Sequence, residues 1–299
     1  METKMSEVRI QWLTSDESLF ELDWLLYLFS DVRDHIDIEY DYRKIKTDSN
    51  TVLICNHAVP YRPVLDALRQ NGKKYAIVFL SDENLVDPCE WLHDPNCVGC
   101  LRNYVHPNFL TNPKVKVFGL GYKRDFTKFL DPKKTERNLR WSFAGTLHGD
   151  RKKAVDLFKQ EVPHKIHTCS GFGASDGLST QEYVEMLQDS VFALCPLGQD
   201  SADSFRLYEA LEAGCIPVTL KSSEQFKLHP SYWHGVFRGE NSLPFILNET
   251  WESCLAQTEE LSEAEIQGFR EEIAKKWSQW KIKWRDSFSR LVHEVKVCY

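Results

Sequence analysis

Short runs of apolar and β-branched residues alternate with amphipathic stretches along most of this chain. Val8 to Trp12, Thr51 to Cys55, Tyr75 to Leu80 and Val115 to Phe118 have the length and composition of buried strands. So do Trp141 to Ala144, Lys165 to Thr168, Val191 to Cys195 and Ile216 to Leu220. Glu17 to Arg33, Arg62 to Gln70, Arg151 to Gln160, Thr180 to Asp189 and Phe205 to Ala213 carry helical spacing instead, and Ser179 with Glu182 has the form of a capping box. Alternation of this kind predicts an α/β fold in which parallel sheets are wrapped by helices. The regularity breaks between Tyr122 and Leu139, a polar, basic stretch containing Asp131-Pro132. A boundary there gives two domains, 1–130 and 131–299. The chain closes on a predicted helix over 262–296, opened by Ser262 and Glu265. Ile266, Phe269, Ile273, Trp277, Trp280, Trp284, Phe288, Leu291 and Val295 recur along it at steps of three or four, a stripe that reads as core.

Composition sharpens this picture. With 42% hydrophobic residues, nine Trp and seventeen Phe in 299 residues, the chain has a sizeable aromatic core to bury, enough for two domains. A formal net charge of -7 argues against nucleic acid as the main partner. No segment reaches the roughly 18 apolar residues of a membrane span, and Met1 to Glu7 is too charged for a signal region. Nine cysteines, an odd number, suit reduced thiols better than a disulfide framework. The expectation is a soluble, cytoplasmic protein; the alternative is a Golgi lumenal domain cut from its anchor. Cys89, His93, Cys97 and Cys100 are spaced closely enough to raise structural zinc, against a plain loop with buried thiols.

The chemistry concentrates between Leu194 and Val218, which reads strand, loop, helix, tight turn, strand. Asp203-Ser204 is a helix-capping pair, so the N–H groups near Ser204 and Phe205 are expected to form an anion site at the end of a parallel strand. Arg206 brings a planar fork suited to a diphosphate. Glu209, three residues on, is placed to accept from ribose hydroxyls; the plain alternative is an i, i+3 ion pair with Arg206. A second strand-to-helix crevice is expected at Gly145-Thr146, leading to Arg151. No strand is followed by Gly-x-Gly-x-x-Gly, and no phosphate-loop motif is present.

The elements Ser204-Phe205-Arg206, Glu209-Ala210-Leu211 and Gly214-Cys215-Ile216-Pro217-Val218 resemble the C-terminal signature of exostosin-like glycosyltransferases, glycosyltransferase family 47. Leu80-Ser81-Asp82-Glu83, Arg102-Asn103-Tyr104, Leu120-Gly121-Tyr122-Lys123 and Trp141 to Gly145 extend the resemblance to roughly 77–218. They point to a branch with ribitol xylosyltransferases and virus-encoded soluble xylosyltransferases. The resemblance implies the GT-B type of α/β fold: two facing Rossmann-like domains, a cleft between them, and the long C-terminal helix packing back across both. It also implies an inverting transfer without an obligatory metal or other cofactor. The donor would be a UDP-sugar, UDP-xylose favoured, with glucuronic acid, galactose, arabinose and N-acetylglucosamine as alternatives. The acceptor would be a glycan hydroxyl, on a protein-linked oligosaccharide by preference. A non-catalytic nucleotide-sugar or glycan-binding module is the alternative from another class.

Inverting transfer needs a base for the acceptor proton and positive groups for the departing diphosphate. Ser204, Phe205, Arg206, Glu209, Arg151, Gly145 and Thr146 are the candidates for the donor. Glu83, favoured narrowly over Asp82, follows a predicted strand and is the candidate base. His57 sits in an equivalent loop and is a third candidate, while Arg102 and Tyr104 are expected to line the acceptor side.

Overall fold

The structure is a computed structural model that describes residues 8–32, 35–104, 109, 111–198, 201, 203–221, 232–237 and 243–297. The charged segment Met1 to Glu7, the end of the first expected helix at Arg33, Cys298, and Gln199, Asp200 and Ala202 of the motif loop lie outside the described residues. The chain divides into two compact units. The first comprises Met1–Gly119, Gly235–Arg238 and Lys281–Tyr299; the second comprises Leu120–His234 and Gly239–Trp280.

Among the described residues the first unit holds a six-stranded, wholly parallel sheet built from β1 (Arg9–Leu13), β2 (Asp37–Glu39), β3 (Thr51–Cys55), β4 (Tyr75–Phe79), β5 (Cys97–Arg102) and β6 (Val115–Val117). Its order is β2-β1-β3-β4-β5-β6. Every residue of β3 and β4 is buried, as expected of strands covered on both faces. Helix α1 (Leu22–Phe29) starts later than its periodicity suggests. Thr14 accepts from the Asp16 N–H and Asp16 from that of Ser18, and Leu19 has φ +50, so side-chain turns hold this backbone out of the helix. Helix α2 (Arg62–Gln70) opens with a proline in its first turn, where no N–H is missed.

Among the described residues the second unit holds five parallel strands, β7 (Leu139–Gly145), β8 (His164–Thr168), β9 (Ser190–Leu194), β10 (Ile216–Leu220) and β11 (Ile246–Asn248). Its order, β11-β10-β9-β7-β8, repeats the winding of the first sheet. Helices α3 (Asp150–Phe158), α4 (Thr180–Gln188) and α5 (Phe205–Glu212) belong to it, with α6 (Tyr232–Val236) and α7 (Trp251–Glu260). The Ser179–Glu182 capping box is formed as expected.

Helix α8 (Glu263–Val297) contributes to both units. In the second, Trp277 packs on Tyr208 at 6.1 Å and donates to Glu212 Oε2 at 2.5 Å. In the first, Trp284 meets Trp24 edge-on at 5.9 Å, and Phe288 meets Phe29 and Phe118 at 4.8 and 5.0 Å. The aromatic stripe is therefore core, and these rings bury large areas in edge-to-face contacts.

One local reading is corrected. Cys97-Val-Gly-Cys100 is not a loop but the body of β5, with a glycine where a Cβ would come within 2.9 Å of Leu291. Cys89, Cys97 and Cys100 are buried. Burial pushes the Cys89 thiol up to about 12 and the Cys97 thiol up to about 11. Among the described residues no group of three or more His, Cys, Asp or Glu is placed to hold a metal ion. Nor, among them, is any helix long and apolar enough to cross a membrane.

Candidate functional site

In a doubly wound sheet the winding reverses at one point, and the carboxyl ends of the two strands flanking it open a crevice for ligand. In the second unit that point lies between β7 and β9. Gly145 ends β7, Ser204-Phe205-Arg206 starts the helix that follows β9, and Arg151 lies in the first turn of the helix that follows β7. Gly145, Thr146, Arg151, Ser204, Phe205 and Arg206 thus lie about this one reversal, while Glu209 sits a turn further along α5.

The start of α5 is open. The Ser204 side chain does not cap it and no acidic residue stands in its first turn. Asp203, 2% exposed, turns inward instead, with one carboxylate oxygen accepting the Ser204 N–H at 3.0 Å and the other the hydroxyls of Tyr208 and Tyr232 at 2.7 and 2.9 Å. Arg206 donates from Nε to the Ala144 carbonyl at 3.1 Å, over the Phe143 ring. Its two Nη groups form no hydrogen bond among the described residues. A Cβ on Gly145, whose φ is +146, would lie 3.1 Å from Arg206 Nη2. Glycine here makes room for the guanidinium as well as for the backbone.

Two expected ligand contacts face inward. Arg151, 7% exposed, donates twice to the Leu197 carbonyl, at 3.1 and 3.2 Å, and to Thr146 Oγ1 at 2.8 Å. It ties the strand ends on either side of the reversal and so supports the crevice rather than lining it. Glu209, 1% exposed, forms no ion pair with Arg206 among the described residues. Its carboxylate accepts the Lys123 N–H at 3.4 Å and the Tyr183 hydroxyl. Burial, with the Glu209 carboxylate beside it, drives Tyr183 far above the ordinary phenol range and keeps it a donor. The arrangement seen leaves almost no Glu209 surface for a ribose.

In the first unit the reversal lies between β1 and β3. His57 follows β3, Ser81 to Glu83 follow β4 and Tyr104 follows β5. Ser81, Leu85, Cys89 and Tyr104 all have φ between +52 and +60, an accumulation of strained non-glycine backbone of the kind held at working sites. Asp82 and Arg102, each 1% exposed, form a buried ion pair at 3.2 Å. Arg102 also donates to Cys89 Sγ and to the carbonyls of Asn103 and Tyr104, and lies 4.7 Å from the Phe109 ring centre. Its guanidinium, 1% exposed, is thus engaged by Asp82 and the neighbouring loop.

Asp82 Oδ1 lies 3.6 Å from His57 Nδ1, and the His57 side chain is 38% exposed. Glu83 is half-buried and accepts the Tyr104 hydroxyl at 2.9 Å. An open cavity of about 480 Å³ beside His57 is lined also by Tyr61, Arg62 and Asp87.

Sequence reasoning assigned Phe172 and Tyr183 no role and marked Lys123 only as the end of Leu120-Gly121-Tyr122-Lys123. Lys123 Nζ lies over both rings, 5.5 Å from Phe172 and 5.6 Å from Tyr183, and Phe172 stacks on Phe205 at 6.4 Å and 17°. Lys123 stands beside Arg124 and reads as one of a pair of surface cations, and a lone Phe in a polar turn carries no periodic signal.

Residues 113–234, less than half of the chain, match the family model described as the Exostosin GT47 domain. No curated protein matches the chain in sequence. Among solved structures, an α1,3-fucosyltransferase is similar with a TM-score of 0.54 at 11% identity, over 98% of this chain and 92% of its own. A DNA-modifying β-glucosyltransferase, solved in the presence and absence of its substrate uridine diphosphoglucose, is similar with a TM-score of 0.51 at 11% identity. That alignment covers 95% of this chain and 99% of the enzyme's. The fold is that of GT-B glycosyltransferases, two parallel-sheet α/β units with a long C-terminal helix. The domain match makes residues 113–234 similar to the exostosin GT47 family. The matched segment contains the whole Arg206 crevice; His57, Asp82 and Glu83 lie outside it.

Proposed function

We propose that the chain is an inverting, metal-independent glycosyltransferase that moves a sugar from a UDP-sugar, UDP-xylose first among them, to a glycan hydroxyl. The observation that carries the reading is the uncapped start of α5, with the Arg206 fork fitted beside Gly145 at the strand reversal. The Ser204 N–H is taken by Asp203, so the donors offered there are the N–H groups of the first turn of α5 and the Arg206 guanidinium, the chemistry a diphosphate leaving group needs. The choice of uridine and of xylose rests on the resemblance of the signature segments.

In the transfer the acceptor oxygen attacks the anomeric carbon from the face opposite the diphosphate. The bond from that carbon to the diphosphate oxygen breaks with its electron pair on the diphosphate, and the acceptor proton passes to a base. We assign that base to His57 Nε2, with Asp82 as the positioning carboxylate behind Nδ1 and Arg102 holding Asp82. Asp82 itself is too deeply buried to meet an acceptor. Glu83 is the second reading, favoured by its partial exposure and its bond to Tyr104.

The first experiment is UDP release by the purified protein with UDP-xylose and a panel of other UDP- and GDP-sugars, with and without EDTA. Selective release that survives EDTA is expected. Dependence on a divalent cation would remove the metal-independent reading, and UDP binding without turnover on any donor and acceptor would favour a non-catalytic module. His57→Gln and Glu83→Gln separate the two bases: His57→Gln is expected to lose about 100-fold or more in kcat while binding UDP normally, and Glu83→Gln to keep most of its turnover. The reverse pattern would move the role to Glu83.

A further inference from the structure

The turn that follows β8 has a built shape that the donor reading above does not use. Asp176 closes it by accepting the Ser170 N–H at 2.9 Å and the Ser170 hydroxyl at 3.0 Å, while its carbonyl lies 2.8 Å from His167 Nε2. Gly173, at φ +71, lets the chain reverse with open space where a Cβ would stand. The turn presents Phe172, which is 67% exposed. Its ring lies nearly parallel to that of Phe205, the residue next to Arg206, and the Lys123 ammonium stands 5.5 Å from its centre. Glu209 fixes the Lys123 backbone from below, which gives this sealed carboxylate a purpose in the site.

A planar apolar face, two cations and an open helix start therefore lie together in the second unit. A nucleoside diphosphate offers the matching pair of chemistries, an anionic diphosphate and an aromatic base one ribose away. We infer that Phe172, backed by Phe205 and held in place by the Asp176 turn, is the stacking platform for the nucleobase of the donor. Lys123 is the cation between that platform and the diphosphate. The inference rests on the donor site proposed at Arg206 and adds to it the part that distinguishes a nucleotide from a plain diphosphate. Stacking reads the π face and not the edge of the base, so the platform takes uracil and guanine alike.

Calorimetric titration of UDP, GDP and inorganic pyrophosphate into the wild-type protein, Phe172→Ala and Phe172→Trp provides the test, with thermal unfolding run in parallel. Loss of a base–aromatic stack predicts that Phe172→Ala weakens UDP and GDP by roughly 5- to 100-fold. Pyrophosphate affinity should be unchanged, and Phe172→Trp should bind both nucleotides at least as well as wild type. Asp176→Ala, which frees the turn without touching a ring, is expected to weaken UDP in the same direction and to spare pyrophosphate. Equal UDP binding by wild type and Phe172→Ala overturns the platform while leaving the Arg206 site standing. A parallel loss of pyrophosphate also overturns it, since Phe172 would then serve the diphosphate. Failure of the wild-type protein to bind any of the three ligands overturns the donor site and the platform together.

Discussion

Replacing Asp82 by alanine would leave the Arg102 guanidinium charged, 1% exposed and without its carboxylate. The remaining partners of Arg102 among the described residues are two carbonyls, a thiol and the rings of Phe79 and Phe109, all neutral, so none replaces the lost charge. Breaking one side of a buried ion pair costs about 3–5 kcal/mol. Asp82 also accepts the Val86 N–H at 2.9 Å, so the strained loop after β4 should loosen too. Because the chain has two units, a single melting curve mixes their transitions. Native-state hydrogen exchange on the amides of β4 and β5 reads the first unit directly. The expected result is a loss of about 3 kcal/mol or more in protection there, with β7 and β9 little changed. The double variant Asp82→Leu with Arg102→Met should cost less than the sum of the single changes, by about 2 kcal/mol, because it removes both charges at once. A loss below about 1 kcal/mol in Asp82→Ala, or strict additivity in the double variant, would mean that water already screens this pair. The positioning of His57 by a buried carboxylate would then fall with it.

The other predictions are smaller experiments. Arg206→Ala removes charge-assisted hydrogen bonds of about 1.5–3 kcal/mol each, so UDP affinity is expected to fall at least about 10-fold, and Arg206→Lys should recover only part of it; unchanged affinity would remove Arg206 from the site. Gly145→Ala pushes a methyl against Arg206 Nη2 and strains a φ of +146; a rise in the UDP Kd with little change in the exchange protection of α5 is expected, and wild-type binding would refute the fit. Burial holds the Glu21 carboxyl above the usual carboxylate range, against a smaller opposing effect from its bond with Ser81. The folded chain thus keeps a proton that the unfolded chain loses near pH 4.5, and its stability declines as pH rises through the folded pKa. Glu21→Gln retains an acceptor for Ser81 and is expected to be the more stable protein at pH 7, with the difference vanishing near pH 4; equal stability at both pH values would contradict this.

How far the chain could be read in advance follows from the kind of signal each element carries. β3, β4 and β10 are runs of apolar or β-branched residues buried on both faces, and helices α2, α4 and α5 have clear periodicity; all were legible. β5 was not, because cysteine and glycine spacing imitates a metal knuckle, and only the neighbouring strands make Cys97–Arg102 a strand. The short β11 and helix α7 were missed as well: three residues are too few for a period, and α7 is announced by little more than Thr250 capping at Ser253. At the site, the residue types and strand ends were legible but the direction of the side chains was not. Whether Arg151 meets ligand or Leu197 depends on where the loop after β9 passes, a tertiary fact with no local signature.

That difference in direction orders the candidate residues by task. Arg151, Glu209, Asp82 and Arg102 are all at most 7% exposed, and a buried charge persists only where its hydrogen bonds and counter-charges are supplied. Each is therefore fixed in place and fixes something else: Arg151 the two strand ends, Glu209 the Lys123 backbone, Arg102 the carboxylate of Asp82, and Asp82 the approach to His57. Of the groups given a task above, those with surface left to offer are Arg206, His57, Lys123 and Phe172. Substituting a buried member should disturb geometry first, so that binding, turnover and local stability change together. Substituting an exposed member should change binding or turnover while hydrogen exchange stays the same. Measuring exchange beside kinetics for Arg151→Lys and Arg206→Lys makes the contrast sharp within one crevice, since both changes keep the charge and remove the fork. Exchange near β7 and β9 is expected to rise only for Arg151→Lys, and equal exchange in the two variants would dissolve the division between support and contact drawn from their burial.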